Sequence, residues 1–102
     1  MAKVLAMYRR PADPAAFDRY YYATHVPIAK KIPGLRNYEV TSGPVTTLDG
    51  PAPYHLIATL TFDSVAAVQA ALGTPEGQAT AADLGNFATG GVELYIADTK
   101  VI

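Results

Sequence analysis

The run Phe17-Asp18-Arg19-Tyr20-Tyr21-Tyr22-Ala23-Thr24-His25-Val26-Pro27 sets three consecutive tyrosines beside one of only two histidines in the chain. An imidazole titrates near neutral pH and exchanges protons readily, while neutral phenols supply hydrogen bonds to developing negative charge. The pairing suits general acid–base chemistry on a small molecule. On a helix of about 3.6 residues per turn, Phe17, Tyr21, Thr24, His25 and Ile28 share one face, while Arg19, Tyr22 and Lys30 look elsewhere. Successive helical residues point about 100° apart, so the tyrosines must serve different purposes. Tyr21 is the hydroxyl on the His25 face; Tyr20 is expected to fill core, and Tyr22 to lie at the surface or an interface. The structural alternative for His25 is a bond to a backbone carbonyl freed by a kink at Pro27.

The elements that must position these residues follow from patterning. Lys3 to Arg9 reads as a strand with Leu5 and Met7 on one face and Val4, Ala6 and Tyr8 on the other, apolar on both sides. Asp13-Pro14 is a helix start, with Asp as N-cap and Pro in the first turn. That helix is expected to run to about Thr24, break or kink at Pro27, and add a turn over Ile28–Ile32 before Pro33-Gly34. Leu35 to Thr47 reads as a long strand with a bulge or edge at Gly43-Pro44. After a turn at 48–53, Tyr54 to Phe62 is the clearest strand. Leu56, Ala58, Leu60 and Phe62 face one way, and His55, Ile57, Thr59 and Thr61 the other. Asp63-Ser64 caps a helix over Val65–Leu72. Thr74-Pro75-Glu76 starts another that reaches Leu84 or Phe87. Val92 to Asp98 is the last strand, with Val92, Leu94 and Ile96 alternating against Glu93, Tyr95 and Ala97.

Composition narrows the function. The chain has 102 residues, half of them hydrophobic, and a formal net charge of −1. That length gives one domain, 1–102, and that charge offers no basic patch for nucleic acid or an anionic membrane. The absence of cysteine removes disulfides, thiol chemistry and thiolate metal sites. No signal peptide and no span of about 20 apolar residues is present, so the expectation is a cytoplasmic protein. No phosphate-cradling loop, nucleophile elbow or dinucleotide fingerprint appears, and two histidines without ligand spacing do not make a zinc site. No cofactor or metal is therefore expected.

The order β-α-β-β-α-β is the ferredoxin-like arrangement, an α+β fold with a four-stranded antiparallel sheet and helices on one face. The other face would carry apolar as well as polar groups, and a patch of that size calls for a cover. A second copy packed sheet to sheet is the simplest cover, and a partner protein or bound lipid is the alternative.

The ordered set Tyr8-Arg9-Arg10-Pro11, Phe17-Asp18, Tyr21, His25-Val26-Pro27 and Ile32-Pro33-Gly34-Leu35 resembles the EthD family of dimeric α/β-barrel proteins. Tyr54-His55, Leu60-Thr61-Phe62-Asp63-Ser64, Thr74-Pro75-Glu76-Gly77-Gln78, Ala82-Asp83-Leu84 and Asn86-Phe87 extend the likeness from Lys3 to about Asp98. The resemblance implies a homodimeric barrel with a hydrophobic small-molecule pocket between sheet and helices. EthD is named from bacterial ethyl tert-butyl ether degradation, where it accompanies an oxidative system. Related barrels include cofactor-free monooxygenases, polyketide cyclases, dehydratases and lactone isomerases; some bind haem, which nothing in this sequence favours. His25 falls at the family's histidine position, and Asp83 matches a position from which a carboxylate would orient the imidazole. The alternative for Asp83 is an ordinary exposed helical acid. His25, Tyr21 and Asp83 are thus the candidate catalytic residues. Tyr8, Tyr38, Phe87 and Tyr95 are candidate substrate contacts, His55 a rim or interface residue, and Arg9 and Arg10 pocket-mouth cations or solvated strand-end charges. Two functions follow: a cofactor-free oxidoreductase of the monooxygenase kind, or a dehydratase or cyclase, using His25 as base; and a non-catalytic protein that holds a hydrophobic metabolite for a partner oxidative enzyme.

Overall fold

A computed structural model describes residues 1–102. Strand β1 (Ala2–Arg9) is followed by α1 (Pro14–Tyr20), a π-helical turn (Tyr21–His25) and α2 (Val26–Ala29). Asp13 caps α1, its carboxylate accepting from the Ala16 N–H at 3.1 Å, and Pro14 opens the first turn. The helix does not break at Pro27. Proline has no N–H to close the usual i→i−4 bond, and the chain widens the preceding turn instead, with the Val26 N–H donating to the Tyr21 carbonyl. Helical structure ends at Ala29, short of the expected Ile32, and Gly34 turns the chain at φ +82°.

The expected long second strand is two pieces. β2 (Asn37–Val40) stops before Gly43, which takes φ +77°, and Pro44; a separate two-stranded ladder then forms from β3 (Thr46–Thr47) and β4 (Gly50–Pro51). A left-handed glycine followed by a residue without N–H turns the chain off the sheet edge. β5 (Tyr54–Phe62), α3 (Val65–Leu72), α4 (Pro75–Asp83), a 3₁₀ turn (Leu84–Asn86) and β6 (Val92–Asp98) complete the chain. Ser64 caps α3 by accepting from the Ala67 N–H, and Thr74 caps α4 by accepting from the Gly77 N–H. Asp63 instead pairs with Arg36.

The strand order is β2-β5-β1-β6, antiparallel throughout, which is the ferredoxin-like sheet. Register places Val4, Ala6 and Tyr8 beside Leu60, Ala58 and Leu56 on the helix-covered face. All of these but Val4, with Phe17, Tyr21, Ala29, Ile32, Phe62, Val68 and Phe87, belong to one buried core, and half-buried Val4 packs against it. The other face carries Leu5, Met7, Ile57, Thr59 and Tyr95 and is covered by no element of this chain. No helix is long and apolar enough to cross a membrane.

Two irregularities stand out against this regular frame. Arg9 pairs with Tyr54 while Tyr8 pairs with Leu56, so His55 is an extra residue in β5. This bulge turns His55 off the face it would share with Ile57 and onto the helix side, where it meets Phe17 edge-on at 5.0 Å. Gly77 is buried where α4 crosses the end of α3, and a Cβ there would lie 2.2 Å from the Ala71 carbonyl oxygen.

Candidate active site

Residues 17, 21, 25 and 29 are buried at every fourth position, a spacing the π turn maintains, while Thr24 is exposed and Ile28 half-buried. His25 is 3% exposed and its ring leans against Phe87, with centroids 4.7 Å apart and planes tilted by 52°. Its Nδ1 is 2.9 Å from Asp83 Oδ2. Asp83, at the end of α4, is buried rather than solvated. Its other oxygen, Oδ1, accepts from the Tyr20 hydroxyl at 2.6 Å and from the Asn86 side-chain amide at 3.0 Å. Tyr20 is therefore half-buried: its ring packs on the core against Phe87, as expected, and its hydroxyl also bonds the carboxylate. Tyr20 and His25 are five positions apart, which on a regular α-helix would place them about 140° apart. The π turn is what brings both onto one carboxylate.

The His25 ring borders a cavity of about 80 Å³. Tyr8, Tyr21, His25 and Tyr38 line it, with an apolar wall that includes Val4, Leu60, Leu84 and Leu94. Its floor is where Ala6 and Ala58 sit opposite each other on adjacent strands. Two small side chains in register leave the space that larger ones would fill. Leu72 and Leu94, both exposed, mark its mouth. The Tyr21 and Tyr38 hydroxyls are 2.6 Å apart. No protein group hydrogen-bonds the Tyr8 hydroxyl or His25 Nε2, and neither atom is sealed off. Both are thus available to a molecule in the cavity.

Electrostatics fix the protonation states. Burial pushes the His25 pKa below its ordinary 6.5, against the upward pull of Asp83. For Asp83, burial alone would raise the pKa, but hydrogen bonds from Tyr20, Asn86 and His25 bring it below its ordinary value. Burial raises Tyr8, Tyr21 and Tyr38, so all three phenols stay protonated. At neutral pH the arrangement is a carboxylate and a neutral imidazole with its proton on Nδ1 and an unpartnered Nε2, on a ring that lines an apolar cavity among phenols.

Both depressed pKa values make acid destabilising. Unfolded His25 binds a proton that the native ring resists, so stability falls as pH drops from 6.5 toward the folded pKa. Asp83 adds its loss as pH falls from 3.8 through its own depressed pKa. The expected result is a urea midpoint that declines on acidification below pH 6.5, His25 contributing at most about 1.4 kcal/mol per pH unit. His25→Asn should flatten that first decline; an unchanged slope would count against it.

The other candidate residues are placed differently. Phe87 is buried behind the His25 ring and is not on the cavity surface. Tyr95 does not line the cavity: it pairs with Leu5 on the uncovered sheet face and is 53% exposed. Strand alternation sets this, since Tyr8, Ala6 and Val4 pair with Val92, Leu94 and Ile96 and leave Tyr95 on the opposite side. Arg9 lies at that opposite face too, bonded to Glu93. Asn86 escaped sequence reasoning as a site residue. Its position three after Asp83, where helical neighbours meet, was the available signal.

Comparison with known proteins adds the family. The EthD domain matches residues 9–91. This chain belongs to the EthD family. A Rhodococcus erythropolis relative, an 11.0 kDa protein encoded in the thcB–thcC intergenic region, is 41% identical over all of this chain and 98% of its own length. The crystal structure of an EthD family protein from Bacillus halodurans superposes with a TM-score of 0.90 at 36% identity, covering 98% of this EthD chain and 99% of that one. A cofactor-independent oxygenase from Streptomyces nogalater, SnoaB, shares the fold at a TM-score of 0.68 and 16% identity over 99% and 94% of the two chains. No group of three His, Cys, Asp or Glu side chains in this EthD protein is placed to hold a metal.

Proposed function

We propose that this EthD protein is a cofactor-free oxidoreductase that removes a proton from a small, neutral, apolar molecule and passes the resulting anion to dioxygen. The observation that carries the reading is the His25 ring, pinned at Nδ1 by buried Asp83, lining the cavity and without a protein partner at Nε2. The Nε2 lone pair takes the proton from an acidic C–H or O–H, and the electron pair moves onto the substrate oxygen as an enolate or phenolate. The free Tyr8 hydroxyl and the Tyr21–Tyr38 pair supply hydrogen bonds to that oxygen. For a methylene substrate and dioxygen the balance closes as a carbonyl plus water. The apolar wall carries no fixed charge, which favours an uncharged molecule. At about 80 Å³ the cavity admits its reactive end, the remainder leaving past Leu72 and Leu94. The cofactor-independent oxygenase that shares the fold agrees with this chemistry.

Proton removal is separable from oxygen chemistry. Small aromatic ketones such as 2-tetralone are incubated with the protein in D₂O under argon, and exchange at the acidic C–H is followed by NMR. Catalysed exchange without oxygen, and oxygen uptake in air, are the expected results. Saturable binding without accelerated exchange would overturn the proposal in favour of a protein that holds the molecule for a partner enzyme. Ala58→Leu, which fills the cavity floor, should abolish both binding and exchange.

A homodimer through the uncovered sheet face belongs to the same proposal. Leu5, Met7, Ile57 and Tyr95 form its apolar part, and one layer of sheet and one of helix give a slab 18 Å thick with nothing behind the sheet. Ile57→Asp is expected to convert a dimer into a monomer in analytical ultracentrifugation. A wild-type chain that sediments as a folded monomer at micromolar concentration would remove the barrel.

A further inference from the structure

We infer that a second cleft, walled by Arg10, Asp18, Tyr22, Thr41, Val45 and His55, binds a small organic carboxylate with an apolar body. The cleft has a volume of about 320 Å³, four times the cavity at His25 and within the range of small-molecule sites. Three features meet there. The β5 bulge turns His55 away from the open sheet face and into the cleft. Asp18 accepts from His55 Nε2 at 2.8 Å, which fixes the ring as a wall of the cleft. Arg10, unlike Arg9 with Glu93 and Arg36 with Asp63, has no carboxylate partner. One of its nitrogens donates to the Ala52 carbonyl at 3.2 Å, which anchors the guanidinium without neutralising it.

The charge count selects the ligand class. One guanidinium offers a planar fork matched to a carboxylate. Asp18 on the same wall opposes a second negative charge, so a monoanion is favoured over a phosphate or phosphonate dianion. The Thr41 hydroxyl accepts from the Ile57 N–H at 3.1 Å and keeps its own proton to donate. Pro44, Val45 and Leu56 supply the apolar side, against which a ring can lie. The cavity at His25, which contains no cation, would take neutral molecules instead, so this inference stands apart from the proposed oxygenation.

Benzoate is the probe and benzamide its neutral counterpart, titrated into ¹⁵N-labelled protein up to about 20 mM, a range that captures millimolar dissociation constants. Benzoate is expected to saturate, with shifts centred on residues 10, 18, 41–45 and 55, and to bind at least about tenfold more tightly than benzamide. Arg10→Met, at an exposed position, should erase that preference while leaving the rest of the spectrum in place. Asp18→Asn should admit phenylphosphonate, which the wild-type protein refuses. No saturable benzoate binding, equal binding of benzamide, shifts confined to His25 and Tyr21, or an Arg10→Met variant that binds as before would each overturn the assignment.

Discussion

Replacing His25 by glutamine is expected to slow C–H exchange and oxygen uptake by about 10²–10⁴-fold, the usual share of a positioned general base. Glutamine can still donate to Asp83 Oδ2 from its amide, so the fold and the cavity should persist and ligand affinity should change little. What disappears is the lone pair facing the substrate. Asp83→Asn tests the same base through its tautomer. Tyr20 and Asn86 both donate to Oδ1, so the amide oxygen of an introduced Asn must stay on their side and its NH₂ must turn toward His25. The imidazole then accepts at Nδ1 and carries its proton on Nε2, the edge that should receive one. A comparable loss of exchange, with the tautomer change visible in ¹⁵N shifts of the ring, is the expected outcome. Retention of full activity in His25→Gln would remove proton abstraction by this residue altogether.

The second large effect lies in packing. Gly77→Ala would set a methyl 2.2 Å from the Ala71 carbonyl oxygen and 2.8 Å from Leu72 Cα, both backbone atoms that cannot swing aside. Overpacking costs about 1–3 kcal/mol, and against a rigid backbone neighbour the upper end is expected, a large fraction of the roughly 5–15 kcal/mol that holds a domain together. α4 must move outward, and Asp83 at its end must withdraw from His25. We expect a markedly lower denaturation midpoint and a His25 ring that no longer reports a carboxylate neighbour. Gly85, with nothing within 4 Å of an added Cβ, is the control, and Gly85→Ala should change stability by less than about 0.5 kcal/mol. Equal behaviour of the two variants would show that α3 and α4 are not in the contact described.

Much of this architecture is written locally. Asp13, Ser64 and Thr74 sit at helix starts because their side chains can replace missing backbone partners, and Tyr54–Phe62 alternates because one face is buried. His25 with Asp83 was legible only by likeness to a family, since 58 positions separate them and no spacing rule joins them. Three features were not legible, each for a physical reason. A π turn and an α turn use the same residues, and Pro27 signals a disturbance without saying where it will be absorbed. The bulge at His55 is one unpaired residue, invisible to a period of two, and it moves a side chain from one face to the other. Tyr95 was misplaced although Val92, Leu94 and Ile96 alternate against it, because an edge strand exposed along most of its length does not hold its aromatic to the buried face.

The widened turn at Tyr21–His25 also sets how this stretch can vary in length. Excising any one of the exposed Tyr22, Ala23 or Thr24 would turn the wide bond between the Val26 N–H and the Tyr21 carbonyl into an ordinary α-helical one between the same two groups. Tyr20 and the imidazole would then stand four positions apart, about 40° from one another, and could still converge on their shared carboxylate. Adding a residue offers no such escape, because the turn is already one wider than a regular helix allows and everything beyond it would be re-phased by about 100°. Length variation at this point is therefore one-sided: the dyad can survive a shortening that most helices could not absorb, and an extension should uncouple it.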